Sequence, residues 1–240
     1  MQLPRLYRDL APWYRLLTPP AEYAEEAVDV LSRLQRLCGG TPRTLLELGC
    51  GGGHLASHLP PEIALTLTDL SEDMLALSQA LNPRAEHRLG DMRTLRLGRT
   101  FDAVLLHDAI MYLRTQADLR AALATARAHL APGGALLLLP DCVAESFEAD
   151  TQHGGTDAPD GRGLRYLEWV HPPEPGETWF TADFVIALRA ADGSTSVVVD
   201  RHVYGLFPRE TWERVLGEVG FREVRCRLDG WRREIFEGRG

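Results

Sequence analysis

Between residues 43 and 141, short apolar runs alternate with stretches in which apolar residues recur every three to four positions. The runs "TLLELG" (44–49), "ALTLTDL" (64–70), "AEHRLGD" (85–91), "FDAVLLH" (101–107) and "ALLLLPD" (135–141) predict strands. Between them "GHLASHL", "SEDMLALSQAL" and "TQADLRAALATARAHL" predict helices, with Ser71 as an N-cap and "APGG" as a stop. Such alternation dictates a parallel sheet covered on both faces. Ahead of it, "PPAEYAEEAVDVLSRLQRLC" predicts a helix with Val28, Leu31, Leu34 and Leu37 on one side.

After Asp141 the pattern changes. Residues 142–163 are polar and glycine-rich and predict a loop or lid. "LRYLEWV", "TWFTADFVIALR" and "TSVVVDRHVYG" then predict three strands, the last two joined by an Asp192-Gly193 turn. Tyr166, Trp169 and Trp179 alternate with polar residues there and read as sheet packing. "PRETWERVLGEVG" predicts a helix opened by Pro208, and "FREVRCRL" and "RREIFEG" predict closing strands. The expected fold is α/β: a doubly wound, mostly parallel seven-stranded sheet with an antiparallel β insertion after the fifth strand. One domain is expected, with an N-terminal helical cap (1–42), a ligand-binding core (43–141), the insertion and lid (142–205), and a segment completing the core sheet (206–240).

The glycines after the first strand fit two ligands. Gly51, Gly53 and Ala56 satisfy a dinucleotide spacing, whereas Glu47, Gly49, Gly51 and Gly53 satisfy E-x-G-x-G-x-G. In a doubly wound sheet the ligand lies beyond the carboxyl ends of the strands, where three acids fall. Glu47 precedes the glycines and favours a cationic group. Asp69 ends the second strand, where a carboxylate accepts both ribose hydroxyls, and Asp91 follows the third, within reach of an adenine amino group. A sulfonium amino acid joined to adenosine satisfies all three, whereas a pyrophosphate leaves Glu47 unexplained.

Composition excludes several classes. The net charge of −8 argues against a nucleic-acid partner, and no apolar run is long enough to span a bilayer. Pro4, Asp9 and Pro12 break the N-terminal pattern where a signal peptide needs an apolar core. Cys38, Cys50, Cys142 and Cys226 are scattered and read as reduced thiols of a cytoplasmic protein. All 26 basic residues are arginines. The Tyr-x-x-x-Lys pair of short-chain dehydrogenases is therefore absent, and arginine is too basic to replace lysine in proton transfer.

In order and spacing, "LLELGCGGGHLA", "LTLTDLSEDML", "RLGDMRTL", "FDAVLLHDAIMYL" and "HLAPGGALLLL" resemble the class I S-adenosylmethionine-dependent methyltransferases over about residues 43–140. The tail "DRHVYGLFPRETWERVLGEVGF" is similar to small-molecule members of that family, including amino-sugar N,N-dimethyltransferases. The resemblance implies a Rossmann-like fold, S-adenosylmethionine as donor and S-adenosylhomocysteine as product. It places Glu47, Gly49, Gly51 and Gly53 around the methionine end, Asp69 with Leu70 at the ribose, and Asp91 with Met92 at the adenine. Met74 and His107 join this cofactor set, and Tyr14 in "LYRDLAPWYRLL" would lie over the cofactor.

The expected activity is methyl transfer to a nitrogen or oxygen of a small molecule by in-line displacement. A non-catalytic S-adenosylmethionine-binding protein and an NAD-dependent oxidoreductase are the alternatives. His107 and Asp108, just past the fourth strand, and His153, in the polar loop, are the catalytic candidates, the histidines as general bases for a hydroxyl acceptor. Tyr112, His153, Asp157 and His202 are the candidate acceptor ligands. Asp108, His107 and His153 lack a metal-ligand spacing, so no metal is expected. The inserted strands offer edges through which two copies can pair.

Overall fold

The core runs become strands where the pattern predicts them: β1 (Thr44–Leu48), β2 (Ala64–Asp69), β3 (Glu86–Leu89), β4 (Phe101–His107) and β5 (Leu130–Leu139). The insertion supplies β6 (Thr151–Gly154), β7 (Gly163–His171), β8 (Trp179–Arg189) and β9 (Thr195–Gly205), and the tail β10 (Arg222–Leu228) and β11 (Glu234–Arg239). The helices are α1 (Tyr14–Leu17), α2 (Ala24–Cys38), α3 (Glu72–Leu81), α4 (Gln116–Ala128) and α5 (Arg209–Val219). These elements belong to a computed structural model that describes residues 3–240; Met1 and Gln2, the start of the expected cap, lie outside the described residues.

The strands form a seven-stranded sheet in the order β10-β11-β5-β4-β1-β2-β3. β1 to β5 pair in parallel, while β11 runs antiparallel to β5 and to β10. Successive residues of each strand serve opposite faces. Leu46, Val104, Leu106 and Leu138 meet Leu119, Leu123, Trp212 and Leu216 of α4 and α5 on one side. Leu45, Leu105 and Leu137 meet Ala27, Val30 and Leu34 of α2 on the other. Trp212 stacks on Phe236 with ring centroids 5.4 Å apart. Arg33 and Arg36 of α2 bond the buried Glu237 of β11, at 3.3 and 2.7 Å. Helix boundaries follow local chemistry: the hydroxyls of Ser71 and Thr115 accept from the amides of Met74 and Asp118 at the starts of α3 and α4.

The insertion is a second sheet, β6-β7-β8-β9, antiparallel throughout. Its inner face, including Leu164, Ala182, Phe184 and Ile186, packs on Leu10 and Leu16 of the N-terminal segment. That segment therefore lies between the inserted sheet and α3, where the Ser71 hydroxyl donates to the Tyr7 carbonyl at 2.5 Å. Among the described residues no helix is long and apolar enough to cross a membrane.

Four local expectations are corrected. "GHLASHL" forms only a single 3₁₀ turn, Ala56–His58, because Pro60 and Pro61 follow at once. The polar stretch 142–163 contains a strand, β6, whose partner β7 supplies the pairing that its own sequence does not advertise. Val28 is 69% exposed, since the buried stripe of α2 runs through Ala27, Val30 and Leu34. Tyr166 and Trp169, three apart on β7, face opposite ways: Tyr166 turns inward and Trp169 outward.

Candidate active site

Where β1 is flanked by β2 on one side and β4 on the other, a cavity of about 370 Å³ opens beyond the strand ends. The turn after β1 forms its floor. The amides of Gly49 and Cys50 both donate to the carbonyl of Thr68, at 2.8 Å each. Gly49 has φ of 84°, and a Cβ on it would come within 2.5 Å of Ala109 Cβ and 2.9 Å of the Met92 methyl. Only glycine fits both the backbone and the space.

Asp69 closes this turn. Its two oxygens accept from the amides of Gly51 and Ser71, each at 2.8 Å, and still face the cavity. Burial raises its pKa against the pull of those amides and that of Leu70. Glu47 is 2% exposed, and its Oε2 has no partner among the described residues. Burial pushes its carboxyl up to about 7; His107 opposes the rise, while Asp69, Asp108 and Glu26 add to it.

His107 Nε2 lies 3.1 Å from Glu26 and 3.2 Å from Asp108. Burial lowers the His107 pKa, but the Asp108, Glu26 and Glu47 carboxylates outweigh it and raise it to about 9. Burial would raise Glu26, yet His107 and Arg233 bring it to about 2. Asp141 is pushed well above the ordinary range by burial and by the adjacent Asp108. The Glu26 and Asp108 carboxylates that face its Nε2 thus favour the imidazolium form of His107, which has no lone pair to offer as a general base. Asp108 has φ of 28° and makes no side-chain cap to the 3₁₀ turn Ala109–Tyr112.

Tyr14 and Tyr23 flank His54, with ring centroids at 5.1 and 5.5 Å. Both nitrogens of His54 are buried without a partner among the described residues, and burial, then Arg15 and His58, lower its pKa to about 4. At the far end, Arg93 bonds both oxygens of Asp91, at 2.6–3.1 Å, and reaches Asp118 at 2.7 Å. An incoming amino group would share those oxygens. Leu70 and Met92 line the cavity. Gly53 does not: a Cβ there would overlap Ser78 Oγ and Asn82 Nδ2, so it serves the packing of the turn on α3. Met74 lies behind Gly51, its methyl 3.7 Å from where a Cβ on that glycine would sit.

The opposite wall comes from the insertion and the N-terminal segment. Tyr112 Oη lies 2.7 Å from His202 Nδ1 and 2.8 Å from Tyr7 Oη, and Tyr204 Oη lies 3.0 Å from His202 Nδ1. Tyr166 and Glu168 of β7 complete it; burial, then Asp150, raises the Glu168 carboxyl to about 6. Two sequence candidates lie elsewhere. His153 is an exposed residue of β6, and Asp157 pairs with Arg165 and Arg189 at 2.7 and 2.9 Å outside the cavity. The polar loop turns outward because β6 is the edge strand of the insertion. Sequence reasoning missed Tyr7, Tyr23, His54, Asp141, Glu168, Asp200 and Tyr204. Only "DRHVY" carried a signal, its period of two putting Asp200, His202 and Tyr204 on one strand face.

An unpaired buried acid, a glycine turn that no side chain can enter, and a carboxylate at the end of β2 suit a cationic adenosine ligand. The family described as a methyltransferase domain matches residues 45–134. The chain is 32% identical over 207 residues to a dTDP-3-amino-3,4,6-trideoxy-alpha-D-glucopyranose N,N-dimethyltransferase of Streptomyces venezuelae, covering 84% of each chain. It is also 32% identical over 202 residues to a dTDP-3-amino-3,6-dideoxy-alpha-D-glucopyranose N,N-dimethyltransferase of Streptomyces fradiae, covering 83% of this chain and 77% of that one. Among solved structures, DesVI of Streptomyces venezuelae superposes with a TM-score of 0.81 at 27% identity, over 90% of this chain and 91% of that one. The S-adenosylmethionine-bound amino pentose methyltransferase CalS10 of Micromonospora echinaspora, with the same coverage, gives 0.77 at 28%.

The chain belongs to the class I S-adenosylmethionine-dependent methyltransferases. It is a methyltransferase that uses S-adenosylmethionine on a small-molecule acceptor, and the dinucleotide reading of its glycines falls away.

Proposed function

We propose that this enzyme methylates the amino nitrogen of a nucleotide-linked amino sugar. The observation that carries the reading is similarity to two dTDP-amino-sugar N,N-dimethyltransferases over more than four-fifths of the chain, inserted sheet included. In this reading Glu47, Gly49, Gly51 and His107 surround the methionine end of the donor, Asp69 and Leu70 the ribose, and Asp91 and Met92 the adenine. Tyr14 covers the donor from the N-terminal segment. Tyr112, His202 and Glu168 face the acceptor, and residues 142–205 with the N-terminal segment roof the pocket.

The donor supplies a methyl group already activated by positive sulfur. What remains for the protein is to hold the acceptor nitrogen close to that carbon, in line with the bond that breaks, and to exclude water. Glu47 and the aromatic faces of Tyr14 and Tyr23 favour positive charge at the floor. The phenols and imidazole of the opposite wall suit a polar acceptor that brings N–H and O–H groups.

The test is incubation with S-adenosylmethionine and dTDP-3-amino-3,6-dideoxyglucose, read by mass spectrometry. Successive addition of two methyls is expected. Methylation of the 3-hydroxyl analogue with none of the amine would replace this reading with O-methylation.

We further propose that two copies associate through the outer face of the inserted sheet. Leu167, Val185 and Val199 stand in register there, Val197 and Val199 are 67% and 62% exposed, and the long edge of β9 is unpaired among the described residues. Light scattering should give a dimer mass that Val199→Glu converts to a monomer. A monomeric wild type would overturn this.

A further inference from the structure

Two buried side chains and the half-buried Tyr112 run in sequence from the inserted sheet to the cavity. Asp200 Oδ1 accepts from the Arg5 amide at 3.0 Å and Oδ2 from the Leu6 amide at 2.8 Å, so this carboxylate acts as an acceptor. Its Oδ2 is 3.2 Å from His202 Nε2. A carboxylate there places the ring proton on Nε2 and leaves Nδ1 with a lone pair. Tyr112 Oη, at 2.7 Å, is the nearest donor to that lone pair. Asp200 and His202 are 5% and 1% exposed, and Tyr112 reaches the cavity.

From this geometry we propose that Tyr112, His202 and Asp200 form a relay that removes the proton from the acceptor nitrogen. The inference rests on the amine-acceptor reading above. Tyr112 is the catalytic residue, touching the acceptor; His202 and Asp200 act through it and are positioning residues.

The nitrogen lone pair forms the new carbon–nitrogen bond as the carbon–sulfur bond breaks, its electrons passing to sulfur. The methylated nitrogen then carries one proton too many. That proton passes to Tyr112 Oη while the phenol's own proton passes to His202 Nδ1. The products are a neutral methylated amine, an intact phenol, and an imidazolium beside the Asp200 carboxylate. After release of the product the proton returns through Tyr112 to water. A second methyl transfer needs this reset, because a protonated nitrogen has no lone pair.

Two further observations agree. Burial and the neighbouring phenols hold Tyr112 well above its ordinary range, so it must give up a proton as it takes one. Of the other buried imidazoles beside the cavity, His107 faces the Glu26 and Asp108 carboxylates, at 3.1 and 3.2 Å, and His54 stands between Tyr14 and Tyr23. The groups facing the His202 ring are Asp200 and Tyr204 from its own strand, Tyr112 from the turn after β4, Tyr7 from the N-terminal segment and the apolar Phe184 of β8.

The experiment compares wild type with Tyr112→Phe and Asp200→Asn, using dTDP-3-amino-3,6-dideoxyglucose as acceptor. Donor affinity by calorimetry verifies that each variant retains its fold. Tyr112→Phe should lower kcat by about 100-fold near neutral pH, with the loss shrinking as pH rises and solvent takes the proton unaided. A loss that stays the same at every pH, or kcat within a few-fold of wild type, would overturn the relay. Nitrogen-15 NMR of the histidine rings tests it independently of any acceptor. The Nε2–H tautomer is expected for His202, and the Nδ1–H tautomer would overturn the proposal. If wild type shows the expected tautomer but no turnover, the amino-sugar reading fails while the orientation of the relay is supported.

Discussion

Replacing Glu47 with glutamine separates two effects of one buried carboxylate. The acid is held at about 7 against an ordinary 4.5. An acid raised on folding is most stable below its unfolded value, loses stability as pH climbs between the two values, and carries the full cost above the higher one. Here the loss runs from 4.5 to 7, and at roughly 1.36 kcal/mol per pH unit it amounts to about 3 kcal/mol. Glutamine keeps the shape without the charge. The ligand-free Glu47→Gln protein should therefore melt higher than wild type at about pH 8 and be little changed at about pH 4. Donor binding should move the other way. Loss of a charge-assisted contact costs roughly 1.5–3 kcal/mol, or about 10- to 100-fold in Kd. Because the wild-type acid is about half protonated at neutral pH, donor binding should expel about half a proton there, and affinity should fall about tenfold from pH 8 to pH 6. Calorimetry in two buffers of different ionisation enthalpy measures the released proton, and thermal melts measure the stability. A variant that is less stable near pH 8, or that still releases the proton, would refute this reasoning.

Gly53→Ala forces a side chain into a φ of 71° and onto Ser78 and Asn82, so at about 1–2 kcal/mol for the backbone alone it should lower Tm by several degrees. Trp212→Ala should cost about 3–5 kcal/mol in denaturant unfolding, whereas Trp212→Phe, which keeps the stacking and drops an indole N–H that has no partner among the described residues, should cost under about 1.5. His107, raised from 6.5 to about 9, contributes stability that is full below 6.5 and is lost as pH rises through 9. Wild-type Tm should fall across that interval and that of His107→Gln should not. His153→Ala and Asp157→Ala, both outside the cavity, should leave kcat and donor affinity within about twofold, as surface substitutions do.

Strand positions in the core were legible because each carries its own apolar run, and the glycine turn because acid, glycine and strand end fall at fixed spacing. The helix after that turn was misread because "GHLASHL" has helical periodicity, yet two prolines leave it room for a single turn. The acceptor wall was only half visible. Tyr112 and His202 could be singled out by type and place, but their coupling joins residues 90 apart and exists only once β9 lies against the turn after β4. His107 shows the limit most clearly. Its position past β4 and its neighbour Asp108 were readable, but the second carboxylate against it, Glu26, comes from a helix 81 positions earlier in the chain. His153 could not be placed from sequence, because a polar loop looks the same whether it turns toward a pocket or away from it.

The two amide hydrogen bonds that Asp200 accepts from Arg5 and Leu6 make an interlock. Any displacement of the N-terminal segment would break both at once. The carboxylate then loses the contacts that orient it, and His202 loses a fixed neighbour. Seating the segment again restores them and returns Tyr7 to the side of Tyr112. The N-terminal segment, which carries Tyr7 and Tyr14 to the cavity, and the opposite wall with His202 are thus held in place by one shared set of bonds.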